Sequence, residues 1–284
     1  MAKWFVAAKK ADFNKISKEF GISPVTARIL RNRGLTEDEE FRKFLYGTTA
    51  DLYPPETILG MEEAAELLIT KIRENRKIRV IGDYDADGVC ASCILHQGLK
   101  KAGADVDTAI PDRMKDGYGL NEHLVLDAYG AGVDTILTCD NGIAAAAEIG
   151  LAKEKGMTVI VTDHHEVPYE EQDGKRSWLL PPADVVVDPK QEGDTSPFKG
   201  ICGAAVAWKL VLCLYGKLGL LEAQKDFLDG LMELAAFATV CDVMELLDEN
   251  RIIVRYGLSH MKHTANEGLR ALMEVNNIEP EKLT

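Results

Sequence analysis

Acidic and histidine residues follow three short β-rich runs of this sequence, at 78–81, 135–138 and 158–161. The residues after these runs are Asp83, Asp85 and Asp87, then Asp140, and then Asp163, His164 and His165. If the runs are parallel strands, their carboxyl ends meet at one edge of a sheet and the side chains converge there. Carboxylates so close repel one another unless cations neutralise them. Oxygen ligands with one or two histidines suit Mn²⁺ or Mg²⁺, so the pattern predicts a site for two divalent ions.

Each motif taken alone has other interpretations. Residues 83–88 resemble the start of an EF-hand loop, but its twelfth position holds Ile94 instead of Glu and a strand-like run precedes it. They also resemble an aspartyl-phosphate phosphatase motif, although the expected Thr is Val89. Residues 140–142 alone are typical of a turn or helix cap, and two adjacent histidines can be a surface coincidence. The joint occurrence at successive strand ends favours the metal site.

The elements that must position these residues alternate along the chain. Five β-rich runs are expected at 78–81, 106–110, 135–138, 158–161 and 184–187, with helical stretches at 91–102, 122–129 and 143–155 between the first four. This alternation predicts an α/β fold whose mainly parallel, five-stranded sheet is flanked by helices. We expect an N-terminal helical region at 1–55, a domain carrying the sheet at 56–250 and a helical connector at 251–284.

Composition narrows the class of protein. The 284 residues are 46% hydrophobic and 28% charged, with a formal net charge of −13, which indicates a packed protein rather than one that coats nucleic acid or membrane with its whole surface. No apolar run approaches the ~20 residues that span a bilayer, and the N-terminus shows no export signal. Most of the six cysteines lie in apolar stretches, so we expect free thiols in the cytoplasm and no membrane contact.

Together, these motifs resemble the DHH phosphoesterase superfamily, whose name-giving triplet stands here at 163–165. Within it the match is closest to the RecJ family of single-strand-specific 5′→3′ DNA exonucleases. The similarity covers nearly the whole chain and includes stretches 27–34, 111–120, 188–190, 203–210 and 238–243. It implies a DHH catalytic domain, two-metal phosphodiester hydrolysis, and a role in DNA repair and recombination.

Two departures from the family pattern affect the vicinity of the site. Cys90 and Ala91 stand where the family usually has Thr-Ser, and Asp188 stands where it usually has Asn, which adds an acid. Family members also continue into a DHH-associated domain and an oligonucleotide-binding domain. The resemblance therefore implies that the connector leads to a second domain absent from this chain.

The strand-end pattern and the resemblance together suggest roles for the site residues. The expected metal ligands are Asp85, Asp87, Asp140, His164 and Asp242. Asp140 is expected to bridge the two ions, and Asp83 is a weaker candidate, as a ligand or as support for one. His165 is expected to contact the scissile phosphate or to act as general acid, with support of a metal ligand as the competing role.

Three further residues are expected to bind substrate. Arg113 would clamp a phosphate, unless it pairs with a neighbouring surface carboxylate. Gly203 opens a helix whose free N–H groups could hold a phosphate, although tight packing would also explain a glycine there. Tyr118 would stack on a base, unless it is a buried structural residue. A strip of positive charge lining a single-strand channel is expected from Arg113, Lys115, Lys190, Lys199 and Lys209.

The expected substrate is single-stranded DNA with a 5′ phosphate, and the expected protein partners are a single-strand-binding protein and a helicase. Two alternatives stay open. One is another DHH phosphoesterase, acting on short oligoribonucleotides or cyclic dinucleotides. The other is a catalytically inactive DHH scaffold, although every expected ligand is present in this chain.

Overall fold

The computed structural model of the chain describes residues 3, 9–172 and 175–283. The chain divides into two compact units, Met1–Leu52 and Tyr53–Thr284. The described part of the first unit contains helices α1 (Phe13–Phe20), α2 (Pro24–Asn32) and α3 (Asp38–Tyr46). Helix α2 begins after Ser23, whose hydroxyl oxygen accepts the N–H of Thr26 at 3.0 Å. Residues 1, 2 and 4–8 of the helical region predicted at 1–55 lie outside the described residues.

The second unit contains strands and helices in alternation. Its strands are β1 (Ile78–Ile81), β2 (Val106–Ala109), β3 (Thr135–Cys139), β4 (Thr158–Thr162), β5 (Tyr169–Gln172), β6 (Lys175–Trp178) and β7 (Val185–Val187). Its α-helices are α4 (Met61–Arg73), α5 (Ala86–Lys101), α6 (Glu122–Gly130), α7 (Ala146–Glu154), α8 (Gly203–Lys217), α9 (Lys225–Cys241), α10 (Asp248–Met261) and α11 (Glu267–Val275).

The main sheet has five parallel strands in the order β2-β1-β3-β4-β7. This confirms the predicted fold class and the five predicted strands. Ile81 is level with Thr138, and Cys139 is level with Thr162, so β1, β3 and β4 end close together at one edge. The residues that follow these three strands are therefore delivered to the same place.

Helices cover both faces of this sheet. On one face, α6 and α7 pack against Ile136 and Val159 in a buried cluster. Helices α5 and α8 contact the strands and each other, and α4 packs on α8. All four residues of β1 are buried, as expected for a parallel strand covered on both sides. The rigid core thus ends at the strand edge that carries the acidic residues.

Some features of the second unit differ from the expectation. The antiparallel β5–β6 hairpin and helix α11 were not predicted. The expected boundary between residues 250 and 251 falls inside α10, which packs against α9. In the described part of the chain, no helix combines the length and apolar character needed to cross a bilayer.

Candidate metal centre

The loop between β1 and α5 positions the first acidic motif. A Cβ added to Gly82 would lie 1.9 Å from the Ser92 hydroxyl, so only glycine fits at the start of this loop. Asp85 caps α5, because its Oδ1 accepts the N–H groups of Asp87 and Gly88, each at 2.9 Å. This cap begins the helix at Ala86 and places Asp87 in its first turn.

Asp87 is buried and held by the beginning of α8. Its carboxylate accepts the N–H of Gly203 at 2.7 Å and the N–H of Ala204 at 2.8 Å. The positive end of a helix stabilises a carboxylate placed there. The Gly203 amide expected to be free for a phosphate is therefore already engaged by Asp87. A Cβ on Gly203 would also lie 2.7 Å from the Cβ of Asp140, so close packing explains this glycine.

Asp140 follows β3 in an unusual backbone conformation. Its φ is 59°, in the left-handed region that non-glycine residues seldom adopt, and its N–H donates to Thr162 O at 3.1 Å. The side chain is buried. Burial, reinforced by the charges of Asp87 and Asp85, raises the pKa of Asp140 to about 11. The ionised form of the Asp140 carboxyl group becomes stable in this position when a cation balances its charge.

His164 lies close to three of the carboxylates at this edge of the sheet. Its Nε2 lies 3.0 Å from Asp140 Oδ1, 3.5 Å from Asp87 Oδ2 and 3.9 Å from Asp242 Oδ2. Asp242 directly follows helix α9 and is partly buried. Burial lowers the pKa of His164, which favours the neutral imidazole that binds metals.

The predicted ligands form three overlapping groups. Within each group, one potential ligand atom per residue lies within 4.8 Å of the others. The groups are Asp83, Asp85 and Asp140; Asp87, His164 and Asp242; and Asp140, His164 and His165. The structure therefore brings together all five expected ligands and the weaker candidate Asp83. Asp140 belongs to two of the three groups, and its Oδ1 is next to His164 of the remaining one.

Unpaired polar atoms at this edge show that the residues fit a cation. Both carboxylate oxygens of Asp83, Oδ1 of Asp140 and both ring nitrogens of His164 are buried and have no hydrogen bond of ordinary geometry. Burial raises the pKa of Asp83, although the Tyr84 and Gly119 amides oppose this. Buried polar atoms without partners are rare in folded proteins. Carboxylate oxygens with one imidazole are a donor set suited to Mn²⁺ or Mg²⁺.

His165 is oriented by Asp163, whose role the sequence analysis did not assign. The buried Asp163 carboxylate accepts the N–H of Ile143 at 3.0 Å, the N–H of His164 at 2.7 Å and the Nδ1–H of His165 at 2.7 Å. Against the effect of burial, the His165 hydrogen bond lowers the pKa of Asp163, and the same bond raises the pKa of His165. Asp163, the first residue of the triplet at 163–165, thus fixes the orientation of His165, the third.

Tyr118 and Arg113 lie beside the cluster. Tyr118 is 54% exposed, so the interpretation as a buried structural residue is wrong. Its ring meets His165 and Tyr84 edge-on. Arg113 lies over the Tyr84 ring, 5.1 Å from its centroid. Within the described ranges, no carboxylate lies within ion-pair distance of Arg113, which leaves its charge available to a ligand.

The expected strip of positive charge is only partly present. The prediction that Lys209 belongs to this strip is wrong. The residue is buried, and its Nζ lies 2.8 Å from Glu249 Oε1 and 2.8 Å from Tyr53 O. Lys190 pairs with Glu166 at 3.1 Å, and Lys199 pairs with Asp194 at 3.4 Å. Lys115 is exposed and its Nζ lies 3.9 Å from Asp112 Oδ2, so Arg113 is the one member of the five without an ion pair to any described residue.

Asn141 is a further residue that the sequence analysis did not single out. Its Nδ2 donates to Ile81 O at 3.1 Å and to Cys139 O at 2.9 Å, which ties the ends of β1 and β3 together. In the sequence, the position of Asn141 directly after Asp140 could have identified it. The structure shows that its side chain is buried. Its neighbour Gly142 has φ 110°, and a Cβ there would lie 2.5 Å from the Thr138 hydroxyl.

Comparisons with known proteins identify the family of the chain. The family model described as "DHH family, N-terminal domain" matches residues 77–239. The single-stranded-DNA-specific exonuclease RecJ of Bacillus subtilis is 39% identical over 275 residues, which are 96% of this chain and 33% of that protein. The RecJ of Thermus thermophilus is 36% identical over 93% of this chain and 36% of that protein.

A solved structure gives the same picture. The crystal structure of Thermus thermophilus RecJ in complex with Mn²⁺ matches with a TM-score of 0.74 and 32% identity, over 94% of this chain and 36% of that one. The chain thus spans about a third of the length of these relatives. Since the family model matches more than half of the chain, the chain belongs to the DHH family.

Proposed function

We propose that this chain is the catalytic part of a metal-dependent 5′→3′ single-stranded DNA exonuclease. The observation that carries the proposal is the convergence of two carboxylate-rich groups, around Asp140 and around His164, at one edge of the sheet. The similarity to RecJ exonucleases, one of them solved with Mn²⁺, supports the reaction and the metal. We assign the catalytic domain to residues 56–250 and the connector to residues 251–284.

Two sets of residues would each hold one divalent ion, Mn²⁺ or Mg²⁺. Asp83, Asp85 and Asp140 form the first set, and Asp87, His164 and Asp242 form the second. A bound pair of such ions supplies a hydroxide nucleophile and stabilises the attacking and leaving oxygens of an in-line displacement at phosphorus. Asp140 is the bridging ligand in this proposal, because its Oδ1 also lies 3.0 Å from the Nε2 of His164.

The chain's own donors complete the site. His165, oriented by Asp163, presents its imidazole beside Asp140 and contacts the scissile phosphate or protonates the leaving oxygen. Arg113 binds the 5′ phosphate of the strand, where a planar guanidinium makes two parallel hydrogen bonds. Tyr118 and Tyr84 offer aromatic surfaces next to that arginine, which suit the stacking of bases.

The wider role follows from the same assignment. A single-strand exonuclease acts in DNA repair and recombination, with a single-strand-binding protein and a helicase as partners that supply its substrate. The cytoplasm is the compartment we assign, since the six cysteines are free thiols and five of them are at least partly buried. The net charge of −13 predicts weak binding of DNA that depends strongly on salt.

The test compares three substrates with the full chain and Mn²⁺. We expect release of mononucleotides from a long 5′-phosphorylated DNA strand, and loss of that release when Asp140 is replaced by Asn. Faster cleavage of a dinucleotide or a cyclic dinucleotide would favour the alternative DHH phosphoesterase. No hydrolysis of any substrate, together with no Mn²⁺ bound by elemental analysis, would favour an inactive scaffold.

A further inference from the structure

A chain of hydrogen bonds runs from the sheet core to Tyr118 through the His165 ring. Asp163 accepts the Nδ1–H of His165 at 2.7 Å. The Tyr118 hydroxyl lies 3.2 Å from the other ring nitrogen, Nε2. The same hydroxyl donates to the backbone carbonyl of Asp140 at 3.2 Å. The Tyr118 hydroxyl bonds Nε2 as acceptor when that nitrogen carries a proton and as donor when it does not.

Both ends of this chain are attached to rigid groups. Asp163 is 1% exposed and also accepts three backbone N–H groups, so its carboxylate has little freedom. Asp140 is fixed at the end of β3 by the bond from its N–H to Thr162 O. The His165 side chain between them is 45% exposed, with the rings of His164 and Tyr118 beside it. One hydrogen bond at Nδ1 leaves the ring free to tilt, whereas bonds at both nitrogens define its plane.

We propose that Tyr118 is a positioning residue for His165. Its hydroxyl holds Nε2 and, together with Asp163 at Nδ1, fixes the plane of the imidazole before the phosphate binds and in the bound complex. The inference rests on the proposed function, because it assigns His165 to the scissile phosphate. It is separate from the stacking of bases on the Tyr118 ring, since Phe retains the ring and lacks only the hydroxyl.

The first test is a double-mutant cycle with the full chain, Mn²⁺ and a 5′-phosphorylated DNA strand. We expect Tyr118→Phe to lower kcat about tenfold, the effect of one lost hydrogen bond, with KM changed less than about twofold. In a His165→Ala background, Tyr118→Phe should have no further effect. An equal loss in both backgrounds, or a change confined to KM, would overturn the proposal.

Two controls separate positioning from damage. Tyr129→Phe removes a hydroxyl from an exposed tyrosine of α6 and should leave kcat unchanged. The Tyr118→Phe protein should keep its circular dichroism and its Mn²⁺ affinity measured by calorimetry. A fall in Mn²⁺ affinity that matches the fall in kcat would instead assign Tyr118 to support of Asp140 and contradict the proposal.

A second readout does not require hydrolysis. In metal-free protein labelled with ¹⁵N-histidine, the His165 signals are identified by their absence in His165→Ala. We expect Tyr118→Phe to shift the Nε2 resonance and to leave Nδ1, held by Asp163, nearly unchanged. Identical Nε2 resonances in the two proteins would refute the contact. If the wild-type chain hydrolyses no phosphodiester, the proposed function fails while this spectrum still decides the role of Tyr118.

Discussion

Asp140 combines three properties that seldom occur together in one residue. It is 1% exposed, it has a left-handed backbone with φ 59°, and it is surrounded by other carboxylates. Each property opposes folding in the absence of a cation, since strain of this kind costs about 1–3 kcal/mol and buried like charges repel. Such a residue is retained where its chemistry is needed, so we assign the bridging ligand to Asp140.

Replacing Asp140 by Asn tests this at the residue scale. We expect hydrolysis to fall about a thousandfold, because the amide cannot neutralise two cations, a loss of about 4 kcal/mol in the activation free energy. The free energy of unfolding of the metal-free protein should change by less than about 1 kcal/mol, because a pKa of about 11 means that Asn replaces an already protonated acid. Turnover assays and urea denaturation measure the two quantities. Retained turnover would refute the bridging role.

Arg113 is tested by the conservative substitution Arg113→Lys. Lysine keeps the charge but loses the planar fork and its fit over Tyr84. We expect the preference for a 5′-phosphorylated strand over a 5′-hydroxyl strand to fall about tenfold, with Mn²⁺ affinity unchanged. The matched control is Arg270→Lys on α11, where the side chain is exposed. An equal loss for both strands would mean that Arg113 does not read the terminal phosphate.

At the scale of the elements, the site lies at the ends of three strands, at the beginnings of helices α5 and α8 and at the end of α9. Strands β1, β3 and β4 deliver their following residues to one edge, and α8 contributes the two N–H groups that hold Asp87. The beginning of α8 can approach this closely only because its first residue is Gly203. The elements thus fix the ligands before any cation binds.

The prediction at this scale compares two glycines. Gly203→Ala would place a Cβ 2.7 Å from Asp140 Cβ, so we expect Mn²⁺ affinity to fall at least about tenfold and the free energy of unfolding to fall by about 1–3 kcal/mol. Gly150→Ala in α7 meets nothing within 4 Å and should be neutral or stabilise by about 0.5–1 kcal/mol. Calorimetry and thermal unfolding provide both values. Normal Mn²⁺ binding by Gly203→Ala would contradict the close packing.

The sequence alone was sufficient to predict the strands of the main sheet. It was not sufficient to predict contacts between elements that are far apart in the chain. The runs at 135–138 and 158–161 contain only Thr, Ile, Leu and Val, which is typical of a strand buried on both faces, and all five predicted strands are confirmed. The β5–β6 hairpin was missed because Tyr169–Gln172 and Lys175–Trp178 are rich in charge and carry no apolar alternation. The bond between Gly203 and Asp87 joins residues 116 positions apart, and no local pattern reports it.

At the scale of the whole molecule, the site is acidic and the chain as a whole is acidic. The net charge of −13 repels a nucleic-acid strand, and two divalent cations would offset most of the negative charge of the ligand carboxylates. Both DNA binding and the stability of the fold should therefore depend on the metal. The domain boundaries at residues 56 and 250 stay predictions.

The metal should also make the molecule sensitive to pH. Burial raises the pKa of Asp140 to about 11, so the metal-free protein holds a proton there that a cation must displace. Affinity for Mn²⁺ should consequently rise with pH, by about tenfold per unit for each proton released between about pH 6 and pH 8. Calorimetry in two buffers of different ionisation enthalpy measures the release. A pH-independent affinity would mean that the carboxyl groups are already ionised.

The central claim is that Asp83, Asp85, Asp87, Asp140, His164 and Asp242 hold a pair of cations. Anomalous diffraction from crystals of the full chain grown with Mn²⁺ tests it most directly. We expect two anomalous peaks about 3.5–4 Å apart, one beside Asp83, Asp85 and Asp140 and the other beside Asp87, His164 and Asp242. No peak at this edge of the sheet, or peaks that avoid Asp140, would contradict it.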